Sequence, residues 1–311
     1  MAGRTSITTT QMTSVDDFNA KFQTSPGKTA NLSSCFEESA AYVANSVYEL
    51  FRRFSIWIVS VGPVPQHIAI IMDGNRRYAT KRNMQKLRGH ELGYNSLMNT
   101  LRDCYELGIK YVSVYAFSIE NFRRSKEEVE TLMNLMHEKL EVLIEKESLV
   151  NQYGIRVQIL GDLTLLPERV RKAADKAMAF SKDNDKAVLN IFAPYTATQE
   201  IVKAVEGAIT DKVEGIIENE ISAEDIERHL YTANCPEVEL LIRTSGETRL
   251  SNFLLWQTSF TLLYGTPILW PEFSFKHLVR AVWEYQKSYI FLQQQKQKSQ
   301  TAMFIPHEHY D

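Results

Sequence analysis

From residue 63 onward, short apolar runs alternate with segments of helical periodicity. HIAIIM (His67–Met72) is an almost unbroken apolar run, the pattern of a strand buried on both faces. KYVSVYAFS (Lys110–Ser118), IRVQIL (Ile155–Leu160), AVLNIFA (Ala187–Ala193) and VELLIRT (Val238–Thr244) read the same way, and PILW (Pro267–Trp270) is expected to be the last strand. Between them, ELGYNSLMNTLRDCYEL (Glu91–Leu107) predicts a helix. So does SKEEVETLMNLMHEKLEVLIEKE (Ser125–Glu147), which opens with a capping box of Ser125 and Glu128. In that second helix Val129, Leu132, Met133, Met136, Leu140, Leu143 and Ile144 repeat at helical spacing. Strands alternating with helices predict an α/β fold with a mostly parallel central sheet flanked by helices. Ligands of such sheets bind beyond the carboxyl ends of the strands.

Ahead of this region the pattern changes. Residues 1–35 are rich in Ser and Thr and poor in apolar side chains, so they are expected to be a disordered N-terminal segment. Residues 36–62 carry Val43, Val47, Leu50, Phe51, Phe54, Trp57, Ile58 and Val61 at helical spacing, with Arg52 and Arg53 on the other side. That predicts an amphipathic helix suited either to the protein's own core or to a membrane surface. Residues 291–311 form a tail that includes the polar stretch LQQQKQKSQ.

Composition narrows the function. With 35 basic against 38 acidic side chains in 311 residues, the chain lacks the basic excess of a general nucleic-acid binder. Cys35, Cys104 and Cys235 are odd in number and form no C-x-x-C pair, which argues against a disulfide framework or structural zinc. No apolar run approaches the roughly 18 residues of a membrane span. No secretory signal is read at the amino terminus, and Asp16 and Asp17 weaken a plastid transit reading.

The candidate chemistry follows the strands. The first delivers Asp73, Gly74, Asn75, Arg76 and Arg77; the second Ser118, Glu120, Asn121, Arg123 and Arg124; a later one Arg243, Thr244, Ser245, Gly246, Glu247, Arg249 and Ser251. Arginine forks match phosphate oxygens, small residues let backbone N–H groups approach an anion, and a lone carboxylate suits Mg²⁺ shared with substrate phosphates. Phosphate-binding glycine loops of the G-x-x-x-x-G-K-[ST] and G-x-G-x-x-G types are absent, and so is a G-x-S-x-G elbow.

HIAIIMDGNRRYA, GHELGY, YAFSIENFRRSKEEV and LLIRTSGETRLSNFLLWQ, in this order between Pro63 and Gln286, resemble the cis-prenyltransferases. The resemblance implies a catalytic domain over 63–290 with a hydrophobic cleft for a growing prenyl chain, walled by the two helices above. It implies condensation of isopentenyl diphosphate onto a farnesyl-type allylic diphosphate, with Mg²⁺ on Asp73. Gly74, Asn75, Arg77 and His90 match positions that hold or adjoin the allylic diphosphate, with Arg76 beside them. Lys86 stands at a basic position ahead of the G-H pair. Arg243, Arg249 and Ser251 match those that hold isopentenyl diphosphate, with Glu247 orienting the arginines. Ser118, Glu120 and Asn121 match the loop beside the reacting carbons, and Arg124 follows it. Asp73, Asn75, Ser118 and Asn121 are thus the expected catalytic residues.

The chain also departs from self-sufficient members of that family. Leu262 stands where they carry a glutamate, and the sequence after Trp283 has no R-x-G motif. The family's Y-G-G-R segment reads YTATQEI. The first two of these departures resemble eukaryotic catalytic subunits that work with an accessory subunit resembling the Nogo-B receptor, which supplies R-x-G in trans. The expected setting is the cytoplasmic face of the endoplasmic reticulum, with a plastid, homomeric, short-chain enzyme or an inactive prenyl-binding subunit as alternatives.

Overall fold

The computed structural model describes residues 32–145 and 148–303. The chain divides into two compact units, Met1–Arg52 and Arg53–Asp311. The first holds the described start of helix α1 (Leu32–Ser60). The disorder expected for residues 1–35 falls, up to residue 31, outside the described residues.

The second unit is built on a six-stranded sheet, all parallel, in the order β3-β4-β2-β1-β5-β6. The strands are β1 (His67–Ile71), β2 (Tyr111–Tyr115), β3 (Ile155–Leu160), β4 (Ala187–Phe192), β5 (Leu240–Arg243) and β6 (Leu262–Gly265). Every residue of β1 and β5 is buried, as unbroken apolar runs require in a sheet covered on both faces. The chain places β2 on one side of β1 and β5 on the other, so β1 is the switch point of the topology. Register pairs Ile71 with both Tyr115 and Arg243. The carboxyl ends of β1, β2 and β5 therefore lie side by side.

One correction falls on the last strand. PILW is not a strand: Leu262–Gly265 takes the edge position beside β5, and Trp270–Glu272 forms a 3-10 turn with a proline near its start. Ser245 N donates to Ile268 O at 2.7 Å and Gly246 N to Thr266 O at 2.8 Å, so the segment before the turn covers the loop that leaves β5.

Helices α2 (Asn75–Lys81), α3 (Lys86–Glu106), α4 (Lys126–Leu143), α5 (Leu149–Tyr153), α6 (Glu168–Phe180), α7 (Ala197–Val213), α8 (Ala223–Glu227) and α9 (Phe275–Met303) complete the fold. Helix α9 carries the LQQQKQKSQ stretch without a break. One core cluster packs Leu97, Leu101, Trp270, Leu278 and Tyr285 with apolar residues of β1, β2 and β5. A second joins α4 and α6 to β3 through Met133, Leu140, Val157 and Val170. Ser125 Oγ accepts from Glu128 N at 3.3 Å and caps α4. The Glu128 carboxylate instead pairs with Arg124 at 2.9 Å and Arg76 at 3.3 Å.

Candidate active site

Gly74 makes the turn after β1 with φ near +109°, a conformation in which a side chain is disfavoured, and so starts α2 directly beneath Asp73. The turn is anchored from two sides: Thr244 Oγ1 donates to Asp73 O at 2.6 Å and Trp270 N to the same oxygen at 3.1 Å. Gly93 on α3 lets the Asn75 side chain and the Trp270 ring come close, because a Cβ there would overlap Asn75 Oδ1 and stand 3.0 Å from the ring.

Arg243, at the end of β5, is 5% exposed and reaches three groups. Its Nη2 donates to Asp73 Oδ2 at 2.9 Å, and its Nη1 donates to Ser251 Oγ at 2.7 Å and to Arg249 O. Arg77 lies 3.6 Å from Asp73 Oδ1 and 3.5 Å from Glu247 Oε1, and donates to Ser245 Oγ. Glu247 also pairs with Arg249. Burial alone would raise the Asp73 carboxyl, but Arg243, by hydrogen bond and charge, and Arg77 outweigh it and hold the group below its usual range. Asp73 is therefore an anion at neutral pH. At the site, the buried Arg243 Nε and Asn75 Oδ1 have no hydrogen-bond partner among the described residues.

A cavity of about 560 Å³ opens over this cluster. Asp73, Gly74, Asn75, Arg76, Arg77, His90, Ser118, Glu120, Asn121, Arg124, Arg243, Arg249 and Ser251 line it. Of the residues singled out in the sequence, Lys86, Arg123, Thr244, Ser245, Gly246 and Glu247 do not. Lys86 sits with Arg76, Arg77, Thr80 and Lys81 around a neighbouring basic hollow, and Glu247 acts on the wall through the two arginines it pairs. The same cavity is also lined by the apolar side chains of Leu97, Met98, Val114, Leu132, Met136, Leu140 and Ile191.

Ser118 and Asn121 are tied to each other before any ligand is considered. Asn121 Oδ1 accepts from Ser118 N at 3.2 Å, and Ser118 Oγ accepts from Glu120 N at 3.2 Å, capping the 3-10 turn Ile119–Arg123. His90 has its pKa lowered to about 4 by burial and by the charges of Arg124 and Arg76, so it is neutral at pH 7. The sequence reading missed Tyr115, Lys139 and Trp270, which also line the cavity. Lys139 lies 5.2 Å from the ring centre of Tyr94.

Mg²⁺ can be tested against the donor set. No group of three or more His, Cys, Asp or Glu side chains gathers among the described residues, while Asp73 offers one ionised carboxylate beside arginine forks. One carboxylate fits a Mg²⁺ ion whose other ligands are substrate phosphates and water, and does not fit a cage made of protein alone.

These features describe an α/β enzyme fold with a polar site at the carboxyl ends of its strands, in a cavity lined by both polar and apolar side chains. The sequence profile of the undecaprenyl diphosphate synthases matches residues 71–290. The chain belongs to that family and is a cis-prenyltransferase. It is 43% identical to dehydrodolichyl diphosphate synthase CPT3 of Solanum lycopersicum, over 84% of this chain and 98% of that one. It is 42% identical to the dehydrodolichyl diphosphate synthase complex subunit of Homo sapiens, over 81% of this chain and 76% of that one. Among solved structures it resembles lavandulyl diphosphate synthase from Lavandula x intermedia in complex with dimethylallyl diphosphate. The TM-score is 0.67 at 34% identity, covering 72% of this chain and 95% of that one.

Proposed function

We propose that this chain is the catalytic subunit of a heteromeric cis-prenyltransferase that builds a long-chain, dehydrodolichyl-type polyprenyl diphosphate. The observation that carries the reading is the meeting of Asp73 with the Arg243–Ser251 segment at the rim of one cavity. Two diphosphates must lie together there. At ~5 Å and an effective dielectric of ~20, each pair of like unit charges costs about 3 kcal/mol. Arg77, Arg243 and Arg249 offset that repulsion and fix the two head groups.

Asn75 and the rim arginines Arg76, Arg77 and Arg124 hold the allylic diphosphate, with His90 beside it. Arg243, Arg249 and Ser251 hold isopentenyl diphosphate. Asp73 would hold Mg²⁺, which when bound supplies positive charge to the departing diphosphate. The allylic C1–O bond breaks, C1 bonds to C4 of the isopentenyl unit, and the C2 proton leaves to a phosphate oxygen beside Asn75 and Ser118. The apolar part of the lining shields the allylic cation from water and takes up the growing chain.

Two observations support the heteromer. Leu262 lies in edge strand β6, where the resemblance implies a glutamate in self-sufficient enzymes. Relatives in Homo sapiens and Mus musculus are named as subunits of a dehydrodolichyl diphosphate synthase complex. The partner is an accessory subunit resembling the Nogo-B receptor, whose R-x-G completes the isopentenyl site. No described helix is long and apolar enough to cross a membrane. Helix α1 instead exposes Val43, Val47, Phe54, Trp57 and Ile58, which supports peripheral contact with the endoplasmic reticulum surface.

The test is co-expression with such a subunit, followed by chain-length analysis of products from labelled isopentenyl diphosphate and farnesyl diphosphate. Long polyprenyl products that need both the partner and Mg²⁺ are expected. Short products, or equal turnover by the lone chain, would overturn the heteromeric long-chain assignment.

A further inference from the structure

Four residues in the loop after β5 adopt left-handed backbone angles without being glycine: Ser245 at φ +74° and, clustered further along, Ser251 at +50°, Asn252 at +57° and Leu254 at +48°. Asparagine tolerates this region; serine and leucine do so at a cost in free energy. The loop must therefore be held from outside, and the start of helix α7 holds it.

Thr196 occupies the N-cap of α7 but makes no side-chain capping bond. The first two helical amides are satisfied by Asn252 instead. Ala197 N donates to Asn252 O at 2.8 Å, and Thr198 N donates to Asn252 Oδ1 at 3.0 Å. Thr198 Oγ1 donates to the same Oδ1 at 3.0 Å. Asn252 thus caps a 17-residue helix from a position 54 residues away. Next to it, Phe253 is fully buried and stacks on Tyr115 at 4.5 Å between ring centres. Leu254 N donates to the Tyr195 hydroxyl at 3.3 Å, and the Tyr115 hydroxyl donates to Ser251 O at 3.3 Å.

The consequence reaches the cavity. Ser251 Oγ and Arg249 O both accept from Arg243 Nη1, so the shape of this loop fixes where the buried guanidinium sits. We infer that Asn252, seated on the α7 amides with Thr198, is a positioning residue for the diphosphate of isopentenyl diphosphate: it touches no substrate and acts through Ser251 and Arg243. The inference rests on the assignment of that substrate to Arg243, Arg249 and Ser251 above.

The experiment measures KM separately for isopentenyl diphosphate and farnesyl diphosphate, with kcat and Tm, on the full chain co-expressed with its accessory subunit. Asn252→Ala removes the acceptor and should raise KM for isopentenyl diphosphate about tenfold, the size of a lost cap. KM for the allylic substrate should change less than about threefold. Asn252→Asp keeps both the acceptor and the tolerance for positive φ, and should behave like wild type. Asn252→Gly keeps the backbone freedom without the acceptor, and should remain impaired. Thr198→Val removes one of the two Thr198 donors and should have a smaller effect in the same direction, which serves if Asn252→Ala does not fold. An equal rise in both KM values, or an Asn252→Asp variant as impaired as Asn252→Ala at unchanged Tm, would overturn the positioning role and leave the proposed reaction standing. Wild-type complex that incorporates no isopentenyl diphosphate would instead overturn the reaction, and the positioning role with it.

Discussion

Arg243 Nη2 lies 2.9 Å from Asp73 Oδ2, although 170 residues separate them. The pairing follows from topology: β1 and β5 are parallel neighbours with Ile71 opposite Arg243, so the residues just past Ile71 must face the end of β5. One guanidinium then joins the carboxylate to the Ser251–Arg249 loop. An ammonium is a single point charge and cannot span all three acceptors. Arg243→Lys is expected to lower kcat/KM by about a hundredfold or more, as for loss of a charge-stabilising donor. Steady-state rates with each substrate varied in turn are the check, and a loss under threefold would contradict the pairing's role.

Asp73 is an ionised carboxylate that lines the cavity. Asp73→Asn keeps shape and removes the charge that holds a cation. It should abolish most turnover, and the residual rate should no longer respond to Mg²⁺ concentration. For the unmodified chain with the proposed accessory subunit, chelation should stop product formation and re-addition of Mg²⁺ should restore it. A rate indifferent to chelator would remove Mg²⁺ from the scheme.

Gly93 is needed for space rather than for backbone freedom. A methyl group there meets Asn75 Oδ1 and the Trp270 ring, whose indole N–H donates to Gly93 O at 2.8 Å. Trp270 is fully buried, so the ring has nowhere to retreat. Gly93→Ala should cost about 1–3 kcal/mol through overpacking. It should also reduce activity, because the strain falls on Asn75. Denaturant unfolding together with kcat reads both effects, and full stability with full activity would show that the site yields more than this packing allows.

Far from the cavity, His67 reports on pH. Its Nδ1 lies 2.7 Å from Pro236 O and its Nε2 2.7 Å from Ser113 Oγ. A carbonyl can only accept, so Nδ1 carries the proton and Nε2 accepts from the serine, whose oxygen in turn accepts from Asn190 Nδ2 at 3.2 Å. Burial lowers the His67 pKa from 6.5 to about 4, against a smaller opposing effect of the Pro236 bond. The unfolded chain binds this proton below pH 6.5 and the folded chain only near pH 4. Stability from the neutral ring is therefore complete above 6.5 and declines as pH falls towards 4. Between pH 6.5 and 5 the loss is about 2 kcal/mol, at about 1.4 kcal/mol per pH unit. Urea unfolding at pH 7 and pH 5 should show it, and His67→Gln should flatten the dependence by that amount. An equal slope in both proteins would contradict a neutral, buried His67.

The sequence was most legible where burial on both faces leaves no choice of residue. β1 and β5 are largely apolar runs because a polar group inside a covered parallel sheet is tolerated only with a partner, as His67, Ser113 and Asn190 have in one another. The rim was legible because Asp73, Arg77, Arg243 and Ser251 are polar residues placed directly after such runs. Edge strand β6 was hidden: it has four residues with alternating exposure, and the more apolar PILW beside it drew the assignment. Asn252 and Thr198 were hidden for another reason. Their bond joins a loop to a helix start 54 residues away, and neither residue carries a charge or a periodicity that marks it. Glu128 was read as a local cap, yet its carboxylate spans Arg76 and Arg124, a contact that exists only once α2 and α4 are brought together.

Helix α1 offers the last prediction. Phe54 and Trp57 are 55% and 63% exposed and lie 6.0 Å apart as a stacked pair, with Ile58 and Val61 exposed nearby. Large aromatic side chains in water lose free energy that a lipid interface returns, and tryptophan favours that depth of a bilayer. If each ring recovers about 1.5 kcal/mol on entering the interface, replacing both should weaken partition about a hundredfold. The full chain should co-sediment with vesicles of zwitterionic lipid, and Phe54→Ser with Trp57→Ser should leave it in the supernatant. Solution turnover with a short, water-soluble allylic primer should stay unchanged, since neither residue lines the cavity. Sedimentation that the double substitution does not alter would show that α1 is not the membrane contact.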